Sequence, residues 1–362
     1  MGVFSCTFQK FVVPLRNFMT MTMTDSKKRQ PQLALIDLHL HLDGSMPLRT
    51  ARRLAQQQGV EIPRSDEELK AMMSLTEDCK DLNDYLSRFD LACSLLHTRE
   101  GLSTCAYDLL CDLHDQGLIY AEIRFAPQKS CERGLNQRQA VEAVLDGMNR
   151  APIPSRLIVS MMRGNDTREA NLETVRIAKE FLGRGVVAVD LAGAEGLFPT
   201  SDYEYAFAEA RRNNVPIIIH AGEASGADSV WEAIQCGAVR IGHGVRGLEN
   251  KRVIDELIAR DITLELCPTS NIDTGLYRSY GEYPLRRLMD AGVKVCVNTD
   301  DMTVSNTDLQ KEWQHLIETF QLHEFEIGHM LLNSVNASFA PEPLKRELRT
   351  MVQKYYPSTI LY

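Results

Sequence analysis

Two histidines one residue apart, His39 and His41, close an apolar run in LIDLHLHLDGS (residues 35–45). On a strand, residues i and i+2 share a face, so both imidazoles point the same way. Buried polar groups need partners, and two imidazoles aimed at one point suit a metal ion that draws its other ligands from elsewhere in the chain. Further apolar runs end in groups of the same kind. HAGE places His220 and Glu223, GHG places His243, and NTDD places Asp300 and Asp301. A lone histidine on an apolar strand is most often a satisfied core residue. Four of the nine histidines at strand ends, with paired carboxylates at another, need a different explanation.

That pattern suits a single zinc ion held by His39, His41, His220 and one aspartate, with a position left open for water. A metal so placed lowers the pKa of its water toward neutrality. The proton carrier this chemistry needs is Glu223, three residues past His220; its alternative role is a carboxylate at a helix start. His243 is placed to orient the attacking hydroxide, and Asp301 to face another part of the substrate. A second metal would want a bridging group such as a modified lysine after the fourth strand, and VVAVDLAGAEG (186–196) has none.

The elements that must position these groups are short β-branched runs at 33–40, 118–125, 156–162, 186–192, 215–221, 239–244, 262–267 and 293–299. Continuous apolar runs suit parallel strands covered on both faces. Helical patterns at 136–149, 168–184, 202–213, 226–236, 247–260 and 281–291 lie between them, with Gly237 and Gly292 as stop signals. The fold class is therefore α/β, a closed (β/α)8 TIM barrel whose strand ends converge at one mouth. A doubly wound sheet is the weaker alternative, because no Gly-rich phosphate fingerprint follows an early strand. Residues 44–117 hold about four helical stretches, more than a crossover needs, and form a lid over the mouth. Within it Tyr85, Leu86 and Phe89 share a helical face, for packing or for substrate.

A formal net charge of -9 argues against nucleic-acid and anionic-membrane partners. No apolar run reaches the roughly eighteen residues of a membrane span. Nine scattered cysteines without a CxxC fit reduced thiols in the cytoplasm, not a disulfide framework. Residues 1–32 lack periodicity and signal-peptide character, and read as a disordered or artefactual leader ahead of one domain at 33–362. Oligomeric state stays open.

Taken together, DLHLHLDGS, DLAGAEG, HAGE, IGHG, LELCPTSN and NTDD resemble, in order, the motifs of the adenosine deaminases of the amidohydrolase superfamily, from about residue 33 to 356. The resemblance implies zinc-dependent hydrolytic deamination of adenosine and 2′-deoxyadenosine to inosine and 2′-deoxyinosine plus ammonia, in purine salvage. It implies His39, His41, His220 and Asp300 as zinc ligands, Glu223 as the acid at purine N1, and His243 as the group orienting hydroxide at C6. Asp301 would bond N7, the Gly193 backbone N3, and Asp43 the ribose 5′-hydroxyl, under a lid helix in DLNDYLSRFD carrying Tyr85, Leu86 and Phe89. The PCxxC signature of the smaller zinc deaminases is absent. Met302 replaces a proline frequent in relatives, and Ala194 an acidic residue. The rivals are a deaminase of adenine, adenosine monophosphate or a larger adenosyl compound, a non-catalytic binding protein that keeps the barrel, and a metal phosphoesterase. A nucleotide would want a dedicated cation, yet Arg124 and Arg163 are expected to have structural partners, and Asp43 would repel a 5′-phosphate.

Overall fold

The apolar runs become strands because side chains on both faces find cover. The computed structural model describes residues 34–75 and 87–361, so the leader at 1–32 and the expected lid residues Tyr85 and Leu86 lie outside the described residues. The strands are β1 (Leu35–His41), β2 (Leu118–Phe125), β3 (Ser155–Met162), β4 (Val186–Ala192), β5 (Ile218–Ala221), β6 (Arg240–His243), β7 (Thr263–Leu266) and β8 (Val295–Val297). They form two parallel sheets, β1-β2-β3-β4 and β5-β6-β7-β8. A parallel bridge from Val189 to Ile217 joins β4 to the start of β5. At the other seam Leu40 bridges Asp300, with His41 N–H donating to Asp300 O and Asp300 N–H to His39 O, both at 2.8 Å. The strands thus follow one another around an α/β barrel, as expected.

The later strands are shorter than their apolar runs, and β8 shows why. Asn298 N–H still donates to Leu266 O at 2.8 Å, but Thr299 leaves the ladder, its N–H and Oγ1 donating to Asp37 Oδ2 at 3.2 and 2.6 Å, while Leu38 N–H donates to Asn298 Oδ1 at 2.9 Å. At β5, Pro216 supplies a carbonyl to Val189 and has no N–H to give in return. Gly237 and Gly292 end their helices with φ of 91° and 82°, the left-handed stop read from the sequence.

Between β1 and β2 run helices at 48–58, 66–73, 90–95 and 99–115. Ser65 and Thr98 cap two of them, accepting from Glu68 N–H at 3.1 Å and Gly101 N–H at 3.0 Å. The insertion is pinned to the barrel mouth. Ser74 Oγ donates to Thr303 O at 2.5 Å and Leu75 N–H to Val304 O at 2.7 Å, just past Asp301.

Beneath the mouth the interior is ionic. Arg124, Arg240, Glu122, Asp190 and Glu265 are all at most 1 % exposed. Arg240 pairs with Glu122 at 2.7 Å and Glu265 at 2.6 Å, while Arg124 donates to Glu265 at 2.7 Å and to Leu38 O at 2.8 Å. Buried charges are tolerable only when paired and hydrogen-bonded in this way. Such a plug fixes the strands relative to one another directly below the reactive side chains.

Candidate active site

The strand ends deliver the histidines to one point. Ligand atoms of His39, His41, His220 and Asp300 all lie within 4.8 Å of one another. Asp300 Oδ1 stands 3.2 Å from His39 Nε2 and 3.3 Å from His41 Nε2, and His41 Nε2 is 3.2 Å from His220 Nε2. Two of the residues at this mouth, His243 (φ 60°) and Asp300 (φ 63°), hold left-handed backbone that side chains ordinarily avoid, strain of the kind found at functional sites.

Carboxylates on the far ring nitrogens orient this cluster. His39 Nδ1 meets Glu265 Oε2 at 2.8 Å, and His220 Nδ1 meets Asp190 Oδ1 at 3.0 Å. Burial alone would raise Asp190 and Glu265, but His220 and Arg124 hold the first low, and Arg124 and Arg240 hold the second well below the usual carboxylate range. Both therefore accept from the Nδ1–H groups and turn the Nε2 atoms toward the cavity, an arrangement typical of metal-binding histidines. His39 Nε2 is buried and makes no well-aligned hydrogen bond, facing Asp300 Oδ1 at 3.2 Å. A buried imidazole nitrogen converging with two others and a carboxylate oxygen fits a divalent ion. Cys267 also comes within 4.8 Å of His39, His243 and Asp300. Burial pushes its thiol well up, and it donates to Glu265 O at 3.6 Å, so it sits there as a neutral thiol.

Glu223 and His243 face the same cavity. Glu223 Oε2 is 3.6 Å from His243 Nε2, which in turn is 3.8 Å from Asp300 Oδ2. Burial, then the charges of Asp300 and Glu195, push the Glu223 carboxyl up to about 8, so it carries a proton at neutral pH. Burial likewise drives His243 down to about 3, keeping its ring neutral. Its tautomer follows from its partners. Tyr283 OH donates to Asn271 Oδ1 at 3.3 Å, which turns the Asn271 amide to donate to His243 Nδ1 at 3.1 Å and leaves the proton on Nε2.

The remaining expected residues surround this centre. Asp301 is buried against Gly44, where an added Cβ would lie 1.7 Å from Asp301 Oδ1; the glycine of LDGS makes room for that carboxylate. Met302, the departure from proline, uses its N–H to donate to Ser45 Oγ at 3.0 Å, a bond proline could not make. Gly193 directly follows β4 with φ 108°. Asp43 is half-buried, accepts from Gly44 N–H at 3.1 Å and faces Cys93 Sγ at 3.9 Å. Phe89 is half-buried at the start of helix 90–95. Arg163, as expected, is used structurally, donating to Phe198 O, Thr200 Oγ1 and His220 O at 2.6, 2.9 and 2.8 Å. Sequence reading passed over Asp190, Glu265, Glu195 and Asn271. Asp190 and Glu265 carried a signal, a carboxylate inside an apolar strand run; Asn271 stood in the quoted LCPTSN without a role.

Parallel α/β architecture with histidines and aspartate gathered at the strand ends defines a hydrolase of the amidohydrolase class. The chain belongs to the adenosine deaminase family, whose family model, described as adenosine deaminase, matches residues 34–355. It is 45% identical over 338 residues to the adenosine deaminase of Haemophilus ducreyi, covering 91% of this chain and 98% of that one. Identity to the adenosine deaminase of Enterococcus faecalis is 37%, covering 92% of this chain and 99% of that one. Among solved structures, an adenine deaminase from Arthrobacter aurescens superimposes with a TM-score of 0.80 at 26% identity, over 89% of this chain and 99% of that chain.

Proposed function

We propose that this enzyme hydrolytically deaminates adenosine and 2′-deoxyadenosine to inosine and 2′-deoxyinosine with release of ammonia, with one zinc ion held by His39, His41, His220 and Asp300. The observation that carries the reading is geometric: the half-buried Glu223 carboxyl stands 3.6 Å from the buried His243 ring, and both face that four-residue cluster. The relatives named adenosine deaminase support the substrate.

When bound, zinc would supply a Lewis acid that makes water nucleophilic at neutral pH. The chain does the rest. Addition of oxygen at C6 breaks the aromaticity of the ring and puts charge on N1, where the Glu223 carboxyl delivers its proton; the C6–N bond then breaks as the adduct's hydroxyl proton passes to the departing amine, leaving the 6-oxo product and ammonia. His243, its proton fixed on Nε2, donates a hydrogen bond that holds the attacking oxygen on line. Asp301 addresses N7, the Gly193 backbone addresses N3, and Asp43 takes the ribose 5′-hydroxyl. Asp43 gives the nucleoside its advantage over a 5′-phosphate, since a carboxylate at that position repels it. The runner-up, free adenine, is favoured by the fold neighbour that is an adenine deaminase, and would leave the Asp43 contact unused.

Residues 44–117 serve as the lid, with Tyr85, Leu86 and Phe89 as its apolar cover, excluding water during the addition. Residues 1–32 are a leader outside the deaminase domain. The described cysteines are all free thiols, and among the described residues no helix is long and apolar enough to cross a membrane. The free thiols support a cytoplasmic enzyme, and the net charge of -9 supports a small-molecule substrate of purine salvage over nucleic acid. Replacement of Glu223 by Gln tests the chemistry. Glu223→Gln should retain metal and fold yet lose roughly 100-fold or more in kcat, in line with removal of a general acid; wild-type turnover in that variant would refute the assignment.

A further inference from the structure

One carboxylate ties the loop after β4 to the loop after β5. Glu195 stands two residues past Gly193 and is 4 % exposed. Its Oε1 accepts from Gly222 N–H at 2.6 Å and Ser229 Oγ at 2.5 Å; its Oε2 accepts from the N–H groups of Glu223, Ala224 and Ser225 at 3.1, 2.7 and 3.0 Å. Ser225 Oγ returns a bond to the Glu195 carbonyl at 3.5 Å. Four consecutive backbone amides wrapped around one anion form a nest, and the turn depends on Gly222, at φ 71°, where a Cβ would meet Val230 Cγ2 at 2.4 Å. The anion in this nest is the protein's own. A carboxylate with five donors, on the loop that carries Gly193, grips the backbone of the residue that carries the acid.

The chemical consequence follows from the purine. N1 and N3 flank a single carbon on one edge of the ring, so the groups that serve them must be placed relative to each other with little slack. We propose that Glu195 is a positioning residue that fixes the spacing between the Gly193 backbone and the Glu223 carboxyl, and so registers the acid on N1. The inference rests on the deaminase reading above. A carboxylate that merely started helix 227–235 would stabilise the fold and leave the two loops free to shift against each other.

The test uses metal-loaded Glu195→Gln, which keeps one acceptor oxygen but turns an NH2 group onto amides that now oppose it, and Glu195→Asp, which keeps the charge and withdraws it by a methylene. Misplacement of a reacting group by about 1 Å can cost roughly 100-fold in rate. Both variants should therefore lose about 10- to 100-fold in kcat on adenosine, with KM within about threefold of wild type. Affinity for 1-deazaadenosine, which has CH in place of N1 and cannot engage Glu223, should stay unchanged, as should metal content. A kcat for Glu195→Gln within about threefold of wild type, while Glu223→Gln is inactive, would overturn the inference alone. So would a loss of kcat matched by an equal loss of 1-deazaadenosine affinity or of bound metal, which marks a merely structural role. If Glu195→Gln fails to accumulate, Glu195→Asp carries the same expectations. Wild-type silence on adenosine would overturn the deaminase reading, and this inference with it.

Discussion

In the proposed mechanism Glu223 works only while it holds its proton, and that gives the activity a pH sign. Its carboxyl is pushed from 4.5 up to about 8, first by burial and then by Asp300 and Glu195. The protonated form dominates below the folded value and disappears above it, and bound zinc, by neutralising Asp300, draws that value down from about 8, so kcat should fall as pH rises toward 8. A kcat profile followed across that range checks this; a rate still climbing with pH there would mean that Glu223 acts as a base. His243, neutral down to about 3, contributes no competing limb near neutrality. At this scale the sequence was unusually legible, because imidazoles and paired carboxylates at the ends of apolar strands have few structural uses. The partners that set their protonation were less so. Glu195 lies far from Glu223 in the chain, and only the folded loops show which amides it binds. Nor could the chain alone show that Met302 spends its N–H on Ser45.

At the scale of elements, β4 and β7 matter less for their apolar residues than for Asp190 and Glu265, which aim the rings of His220 and His39. Partners of this kind typically contribute 10- to 100-fold in metal affinity. Glu265→Gln should therefore weaken zinc binding by about that factor, read by competition against a chelator of known affinity. An unchanged affinity would show that the Arg124–Glu265–Arg240 cluster only supports the barrel. Strand existence and order were readable from the β-branched runs, whereas strand ends were not. Thr299 gives its N–H to the Asp37 side chain and Leu38 its N–H to the Asn298 side chain across the β8–β1 seam, and no local pattern announces a partner more than 250 residues away. The insertion was read as helical from its sequence pattern, while the caps that start two of its helices, Ser65 and Thr98, show only in the structure. Their attachment to Thr303 and Val304 beside the reactive aspartates was not.

For the whole molecule, the barrel brings segments from β1, β5, β6 and β8 to one mouth, and the buried ion pairs beneath hold that mouth rigid. The net charge of -9 suits a small neutral substrate no worse than a charged one, so composition narrows the partner without naming it. Substrate identity therefore has to be read in solution. The most direct measurement is the ultraviolet shift from adenosine to inosine, run beside adenine and adenosine monophosphate, before and after chelation and with zinc restored. Turnover of adenosine should lie far above that of the other two, be abolished by the chelator and recover with zinc. Silence on adenosine with turnover of adenine or the monophosphate would contradict the assigned ribose contact at Asp43, and metal-independent turnover would contradict the role given to His39, His41, His220 and Asp300.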